Sequence, residues 1–508
     1  MAVQAHFTFI LPLPGDEAAE MILAETLSTR DTVNPALVAA ARLHVRDAQG
    51  TVTGLKVEQD GHRLLMALPG RGDRVVYGTA NLGVAQRGKD AKPHLLLYYP
   101  KTIIGDPFAP AATVGGEQVL EFVPQGQAGH VRLRLLARGA PLPNAEITVI
   151  LPDGEQQKAR TDAAGVAGPF SQHGRYGAWA RFWEDTPGEH EGKRYEQTRH
   201  YAMIVFDSLA PSEKVAPLPQ PTSSFGAAVD GDWLYVYGGH VVRTHSYSTA
   251  AVSGRFSRRK LAGGEWEDLP PGTPLQGLNL VAHDGKVCRA GGMQPRNAPG
   301  EKADNHSVAE AFCFATRQGA WQPLPPLPEP RSSHDVAVVG EQLIVTGGWT
   351  MRGAEPSTWA KTTLLLDLRN PAAGWREVAQ PFQRRALVTA VWNGRVYVIG
   401  GITPPGKVST EVDIYDPAAN LWTKGPALPG ADINGFAPAA AVLHNRLYAS
   451  TGDGSLYRLD AAGEQWQRIG RSARRLAHRM APAGDSLLII GGAAKGGNFD
   501  LVEKVAIR

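Results

Sequence analysis

Residues 341–349, EQLIVTGGW, and 394–402, GRVYVIGGI, share one pattern: a turn residue, a short apolar run rich in valine and isoleucine, then a glycine pair. The same pattern appears as DWLYVYGGH at 232–240, GKVCRAGGM at 285–293, DSLLIIGGA at 485–493 and, with one glycine lost, NRLYASTGD at 445–453. The first glycines stand at 238, 291, 347, 400, 452 and 491, so the steps between copies are 53, 56, 53, 52 and 39 residues. β-branched and aromatic runs bounded by glycine predict strands. A period near fifty residues predicts a supersecondary unit that buries its faces only against its neighbours. After most copies comes a second strand and a tryptophan, at 266, 321, 375, 422 and 466, placed to pack between adjacent units.

The ends of the array are informative. WQPLPPLPEPRSSHDVAVV at 321–339 aligns with VAPLPQPTSSFGAAV at 215–229, while the last copy runs out at FDLVEKVAIR without its tryptophan strand. The chain near 212–216 therefore stands where an outermost strand belongs, and is expected to complete the last sheet and remove an open edge. The glycine pairs, the tryptophans and the period resemble the kelch repeat. That resemblance implies an all-β six-bladed propeller over 208–508, closed by the strand near 212–216.

Bulk composition agrees with an all-β chain. The 508 residues include 57 glycines and 38 prolines, only 20% are charged, and helical heptads are absent. A formal net charge of +3 is too slight for a nucleic-acid surface, and no apolar run reaches the ~18 residues of a membrane helix. The basic run GRFSRRK at 254–260 reads as a solvated strand end. Cys288 and Cys313, the only cysteines, fall on strands read as neighbours; two buried thiols is the favoured reading and a disulfide the other. No Gly-x-Ser-x-Gly elbow, phosphate loop or His-Glu-x-x-His is present.

The first two-fifths of the chain reads as two β domains. Residues 1–115 alternate apolar and polar positions in HFTFILP, ARLHVRD, HRLLMALP, DRVVYGT and PHLLLYYP. From 116 to 207 the order is strand, Gly-x-Pro-x-Pro turn, strand, Thr161-Asp162-x-x-Gly165 turn, strand, then Gly174 and an inward Tyr176. This second stretch resembles immunoglobulin- or transthyretin-like sandwiches. With Ala5-His6-Phe7, the LYYPK strand end and HYAMIVF at 200–206, the whole of 1–207 resembles a secreted bacterial nickel-transport accessory domain of uncertain function.

Val3-Gln4-Ala5 reads as the end of a secretory signal, with cleavage before His6, although no basic start or apolar core precedes it. This implies a periplasmic or extracellular protein. A histidine at a mature N-terminus offers both its imidazole and the α-amine to copper or nickel. His6 and His200 are the first candidates; His173 and His190 fall in turns or at strand starts, His190 among the carboxylates Glu184, Asp185, Glu189 and Glu191. The plainer reading is scattered surface histidines, since neither His-x-His nor His-x-x-x-His occurs among them.

In kelch propellers ligands bind at the channel mouth. The segments leading into the innermost strands carry Arg331 and His334, Arg384 and Arg385, Asn434, and Arg475 and His478. Converging guanidinium groups suit a carboxylate or an anionic sugar. The competing and favoured reading makes these arginines part of the repeat, tying blades through backbone carbonyls. The absence of a clear acid–base pair favours a binding protein for a protein or glycan partner over an enzyme. The alternative is a carbohydrate-active enzyme resembling bacterial sialic acid mutarotases. Galactose oxidase relatives are excluded, because the propeller has no Tyr-His pair.

Overall fold

The computed structural model describes residues 6–13, 15–86, 91–430 and 432–507; the proposed cleavage site at 3–5 lies outside them. The chain divides into two compact units, one ending at Ala210 and one spanning Pro211–Ile507. Among the described residues the only helical segments are short 3-10 turns, and no helix is long and apolar enough to cross a membrane.

The first unit has three layers. Its central sheet has eight strands in the order Gln156–Arg160, Glu146–Ile150, Gly174–Glu184, Gln197–Ser208, His94–Ile104, Arg74–Ala85, Arg42–Asp47 and Val52–Leu55. One face packs on a sheet built from Phe7–Pro12, Ala18–Ala24, Arg63–Ala67 and Glu58–Asp60; the other packs on a sheet containing Leu120–Gln127, His130–Ala137 and Val166–Phe170. Successive side chains of a strand point to opposite faces. Tyr98 and Ile104 accordingly enter the first core, and Tyr99 and Ile103 the second. Met203 and Val205 divide from Ile204 and Phe206 in the same way.

This corrects the boundary expected at 115/116. His94–Ile104 and Gln197–Ser208 pair in parallel at the middle of the shared sheet, so the two halves are one unit. Both strands are buried on both faces and read as continuous apolar runs. Tyr176 does point inward: it is fully buried, its ring stacks on Phe206 at 5.4 Å, and its hydroxyl donates to the Gln172 carbonyl.

The second unit contains six four-stranded antiparallel sheets, numbered here by their first strands. Sheet I begins at Gly226–Asp230, II at Val281–His283, III at Asp335–Val339, IV at Val388–Trp392, V at Ala439–Leu443 and VI at Arg479–Ala483. Each first strand contacts the first strand of the next sheet, and that of VI contacts that of I. The outermost strand of VI is Ser212–Val215, which pairs antiparallel with Val502–Ala506.

The repeated residues have specific tasks. Trp266, Trp321, Trp375, Trp422 and Trp466 each pack into the core shared with the preceding sheet. Four donate their indole N–H to a proline carbonyl: Trp266 to Pro217, Trp321 to Pro270, Trp375 to Pro325 and Trp466 to Pro426. Trp422 has no such partner. The glycine pairs serve close approach as well as turning. At Gly291 (φ +63°) a Cβ would collide with the Arg331 carbonyl of the next sheet, while the Gly292 N–H donates to that same carbonyl at 2.8 Å.

Cys288 and Cys313 form a disulfide, which overturns the favoured reading of two thiols. They are direct cross-strand partners in sheet II, with Cα atoms 3.9 Å apart, and antiparallel opposition brings side chains that close.

Candidate functional site

Six residues just before the first strands hold left-handed backbone: Ser224, Gly277, Ser333, Ala386, Ala437 and Ala477, with φ between +44° and +64°. In that conformation each N–H reaches the carbonyl of its counterpart in the preceding sheet. Gly277 donates to Ser224, Ser333 to Gly277, Ala386 to Ser333, Ala437 to Ala386, Ala477 to Ala437, and Ser224 to Ala477, at 2.7–3.2 Å. The cycle returns to its start, so backbone hydrogen bonds alone join all six sheets. Small residues occupy all six positions.

Below this ring lies a buried polar plug. Arg479 of sheet VI donates from Nε to the Phe225 carbonyl at 2.7 Å and from Nη2 to the Leu278 carbonyl at 2.6 Å. Its Nη1 lies 3.6 Å from Asp335 of sheet III, and Asp335 Oδ2 accepts the Thr389 N–H of sheet IV at 2.6 Å. Burial pushes the Asp335 carboxyl up and the Arg479 guanidinium down. Sequence reading missed this pair. The available signal was opposite charge at one repeat position, His334-Asp335 against His478-Arg479, where a first strand is otherwise apolar.

Most of the expected mouth residues are engaged inside the sheets. Arg331 Nη1 donates to the Thr362 carbonyl at 2.7 Å, and Arg384 Nη1 to those of Gly400 and Glu411 at 2.7 and 2.6 Å. Arg475 Nη1 donates to Gly491 and Leu501 at 3.1 Å each. Arg384 also pairs with Asp413 and Arg475 with Glu503. Arg331 has no such carboxylate pairing, and burial takes its guanidinium down to about 10. These arginines clamp each sheet's lead-in to its own third strand. They bond backbone carbonyls, as the favoured reading has it, but within one sheet rather than from blade to blade.

The histidines join sheets instead. His334 Nε2 donates to the Ala290 carbonyl of sheet II at 2.8 Å, and His478 Nε2 lies 3.1 Å from Ser450 Oγ of sheet V. Burial holds both at about 3, hence neutral. Asn434 is paired with Asp453 through both its amide nitrogen and its carbonyl oxygen. Arg385 differs from the rest. It is half-buried with its guanidinium carbon 4.0 Å from the Trp349 ring centroid and 5.7 Å from that of Trp359, and its Nε makes no hydrogen bond among the described residues.

Above the ring is a cavity of about 680 Å³ whose wall includes Ser224 and Ala477. Its apolar side is Ile433, Phe436 and Leu476; its polar side includes His240, His245, Tyr247, Arg474 and Lys495. Of the residues expected from sequence, only Arg475 touches it. Of the other lining residues, His240, His245, Tyr247 and Lys495 belong to loops after the glycine pairs, whose lengths vary between repeats, so the period does not pick them out.

The four candidate metal histidines occupy separate settings. His200 is buried, with Nδ1 2.9 Å from Tyr99 Oη and Nε2 3.3 Å from Glu184 Oε2. His173 is buried beside Gly129, and His190 stands in the hairpin Gly188–His190 and Lys193–Tyr195 near Glu191. The His6 carbonyl accepts the Tyr98 hydroxyl at 3.2 Å. Among the described residues no three His, Cys, Asp or Glu side chains stand together as a cation needs.

Residues 383–429, which contain sheet IV, match the Kelch motif. The chain therefore carries a kelch repeat and is similar to kelch-repeat proteins. Its relatives include human Kelch-like protein 30, 26% identical over 242 residues that make up 39% of either chain, and human Kelch-like protein 33, 36% identical over 137 residues. The second match spans 26% of this kelch-repeat chain and 24% of the relative, so the chain spans well under half the length of either. A solved structure titled "Structure of YjhT" covers 57% of this chain and 95% of its own, at 16% identity and a TM-score of 0.46, a level that supports no inference.

Proposed function

We propose that residues 211–507 form a six-bladed kelch propeller, sealed by Ser212–Val215, whose mouth cavity recognises a protein partner. The protein acts by binding, outside the cytosol. The observation that carries this reading is the cavity itself: a concave, largely apolar site seated on a backbone ring, of a size that buries a ligand. Kelch repeats in this chain and its relatives point to protein partners. The carbohydrate-active alternative rested on converging arginines, and Arg331, Arg384 and Arg475 bond to their own sheets. A buried disulfide supports an oxidising compartment.

The test is affinity capture with the full-length protein against its Phe436→Asp variant, after both show the same thermal midpoint. Partners retained by the wild type and lost from the variant are expected. Partners indifferent to Phe436, with turnover of a sugar by the wild type, overturn the reading.

A further inference from the structure

The central sheet of the first unit carries the one aromatic side chain that stands exposed among the described residues. Trp183, 51% exposed, lies near the end of the strand Gly174–Glu184. Odd-numbered side chains of that strand share one face. Trp179 on this face is covered by Phe7, whose ring stacks on it at 4.0 Å, and the covering strand Phe7–Pro12 begins there. Arg181 and Trp183 come next on the same face. Arg199, on the strand Gln197–Ser208, is the direct cross-strand partner of Trp183.

Two guanidinium groups are set against this ring. The Arg181 and Arg199 guanidinium carbons lie 5.2 and 5.8 Å from the indole centroid. Arg199 Nε is buried and has no hydrogen-bond partner among the described residues. The carboxylates nearest in sequence are engaged elsewhere. Glu184, on the opposite face, takes Arg138 through both oxygens, and Asp185 accepts the Gln197 amide at 2.7 Å. Among the described residues neither Arg181 nor Arg199 pairs with a carboxylate. Stacking on the indole restrains both side chains while their N–H groups stay unspent, so part of the ordering entropy of binding is met before a ligand arrives.

We propose that this shelf binds a carboxylated polysaccharide, with the C–H face of a pyranose ring on Trp183 and its carboxylates on Arg181 and Arg199. A guanidinium takes a carboxylate through two parallel N–H bonds, and an indole offers a flat apolar face. An acidic protein would bring the same charge, but a protein interface buries about 800 Å² per partner around an apolar core. Here one indole stands between cations on a sheet face, enough to cover a sugar ring and too little to seat a folded surface. The shelf belongs to the first unit and owes nothing to the propeller mouth.

The test is biolayer interferometry of the full-length protein on immobilised polygalacturonate, with dextran, dextran sulfate and poly-L-glutamate as comparison surfaces. The variants are Trp183→Ala, Trp183→Tyr, Arg181→Gln/Arg199→Gln and Phe436→Asp, each with the thermal midpoint of the wild type. Polygalacturonate is expected to be bound in preference to the other three, and more weakly as salt rises. Its affinity is expected to fall about tenfold or more in Trp183→Ala and in the double arginine variant. Trp183→Tyr is expected to keep most of the affinity and Phe436→Asp all of it. No binding of polygalacturonate, or binding that Trp183→Ala leaves unchanged, overturns the proposal. Equal binding of dextran sulfate reduces the shelf to charge alone and also overturns it. Equal or tighter binding of poly-L-glutamate assigns the shelf to an acidic protein instead, and loss of binding in Phe436→Asp moves the site to the mouth; either result sinks it.

Discussion

Arg384 distinguishes a structural arginine from a ligand-binding one. Its side chain and that of Asp413 are each 2% exposed, and Nη2 and Oδ2 lie 2.5 Å apart. Nη1 satisfies two carbonyls, and the guanidinium carbon lies 4.5 Å from the Phe382 ring centroid. Replacing Arg384 with Met preserves apolar volume but leaves Asp413 buried with only Lys424 at 3.1 Å, a side chain 63% exposed. Breaking one partner of a buried pair costs about 3–5 kcal/mol, because the remaining charge keeps its desolvation penalty. For a unit of this size that corresponds to a fall in midpoint of about 5–8 °C. Calorimetry of the full chain is the assay, comparing midpoints, since two units make one unfolding free energy ill defined. Adding Asp413→Leu removes the stranded carboxylate and is expected to restore at least half of the loss. A midpoint within about 1 °C of wild type for Arg384→Met, with partner capture lost instead, refutes the structural role and returns this arginine to the ligand.

The tryptophans yield a graded comparison. Trp375→Phe loses the bond to Pro325, about 0.5–1.5 kcal/mol beyond packing, whereas Trp422→Phe loses no bond and is expected to cost less by that margin in parallel thermal scans. The disulfide closes a loop across a sequence separation of 25, so Cys288→Ala/Cys313→Ala is expected to cost roughly 3 kcal/mol. Denatured but unreduced protein is expected to take up no iodoacetamide, and two adducts per chain after reduction, read by intact mass. In the first unit, Arg138 holds the Glu184 carboxyl below the usual carboxylate range, and burial holds His200 below the usual imidazole range. Both groups bind protons more tightly unfolded, so their contribution is present above about pH 6.5 and is lost as pH falls, first through the His200 and then the Glu184 window. The midpoint gap between wild type and Glu184→Gln/His200→Gln is expected to shrink from pH 7 to pH 3; a gap that widens on acidification contradicts the assigned directions.

What the sequence disclosed was what repeats. Glycine pairs and tryptophans recur because each answers a demand that every sheet makes, close approach at Gly291 and core filling at Trp321. The pairing of His94–Ile104 with Gln197–Ser208 escaped because a parallel partner almost a hundred residues away leaves no local turn between them. The arginine roles were legible by type but not by partner. A guanidinium can fork to a ligand or to its own third strand, and only the backbone path sends Arg384 to Glu411. The short connection 451–454 between the second and third strands of sheet V was visible as the 39-residue step between Gly452 and Gly491.

The closing ring explains how a regular frame carries an irregular site. Its six hydrogen bonds run from backbone to backbone, so no side chain at the mouth is needed to hold the sheets together. The demand on sequence there is for αL backbone, met by serine, glycine or alanine at 224, 277, 333, 386, 437 and 477. Residues one position earlier are Ser223, Gln276, Ser332, Arg385, Phe436 and Leu476, a set with no shared chemistry at the same step of the repeat. Side chains released from structural duty are where substitution is cheap, and a loop shortened on one side of a symmetric ring is enough to give it a direction. Recognition can therefore be built from length and charge in the wall while the six sheets beneath stay alike.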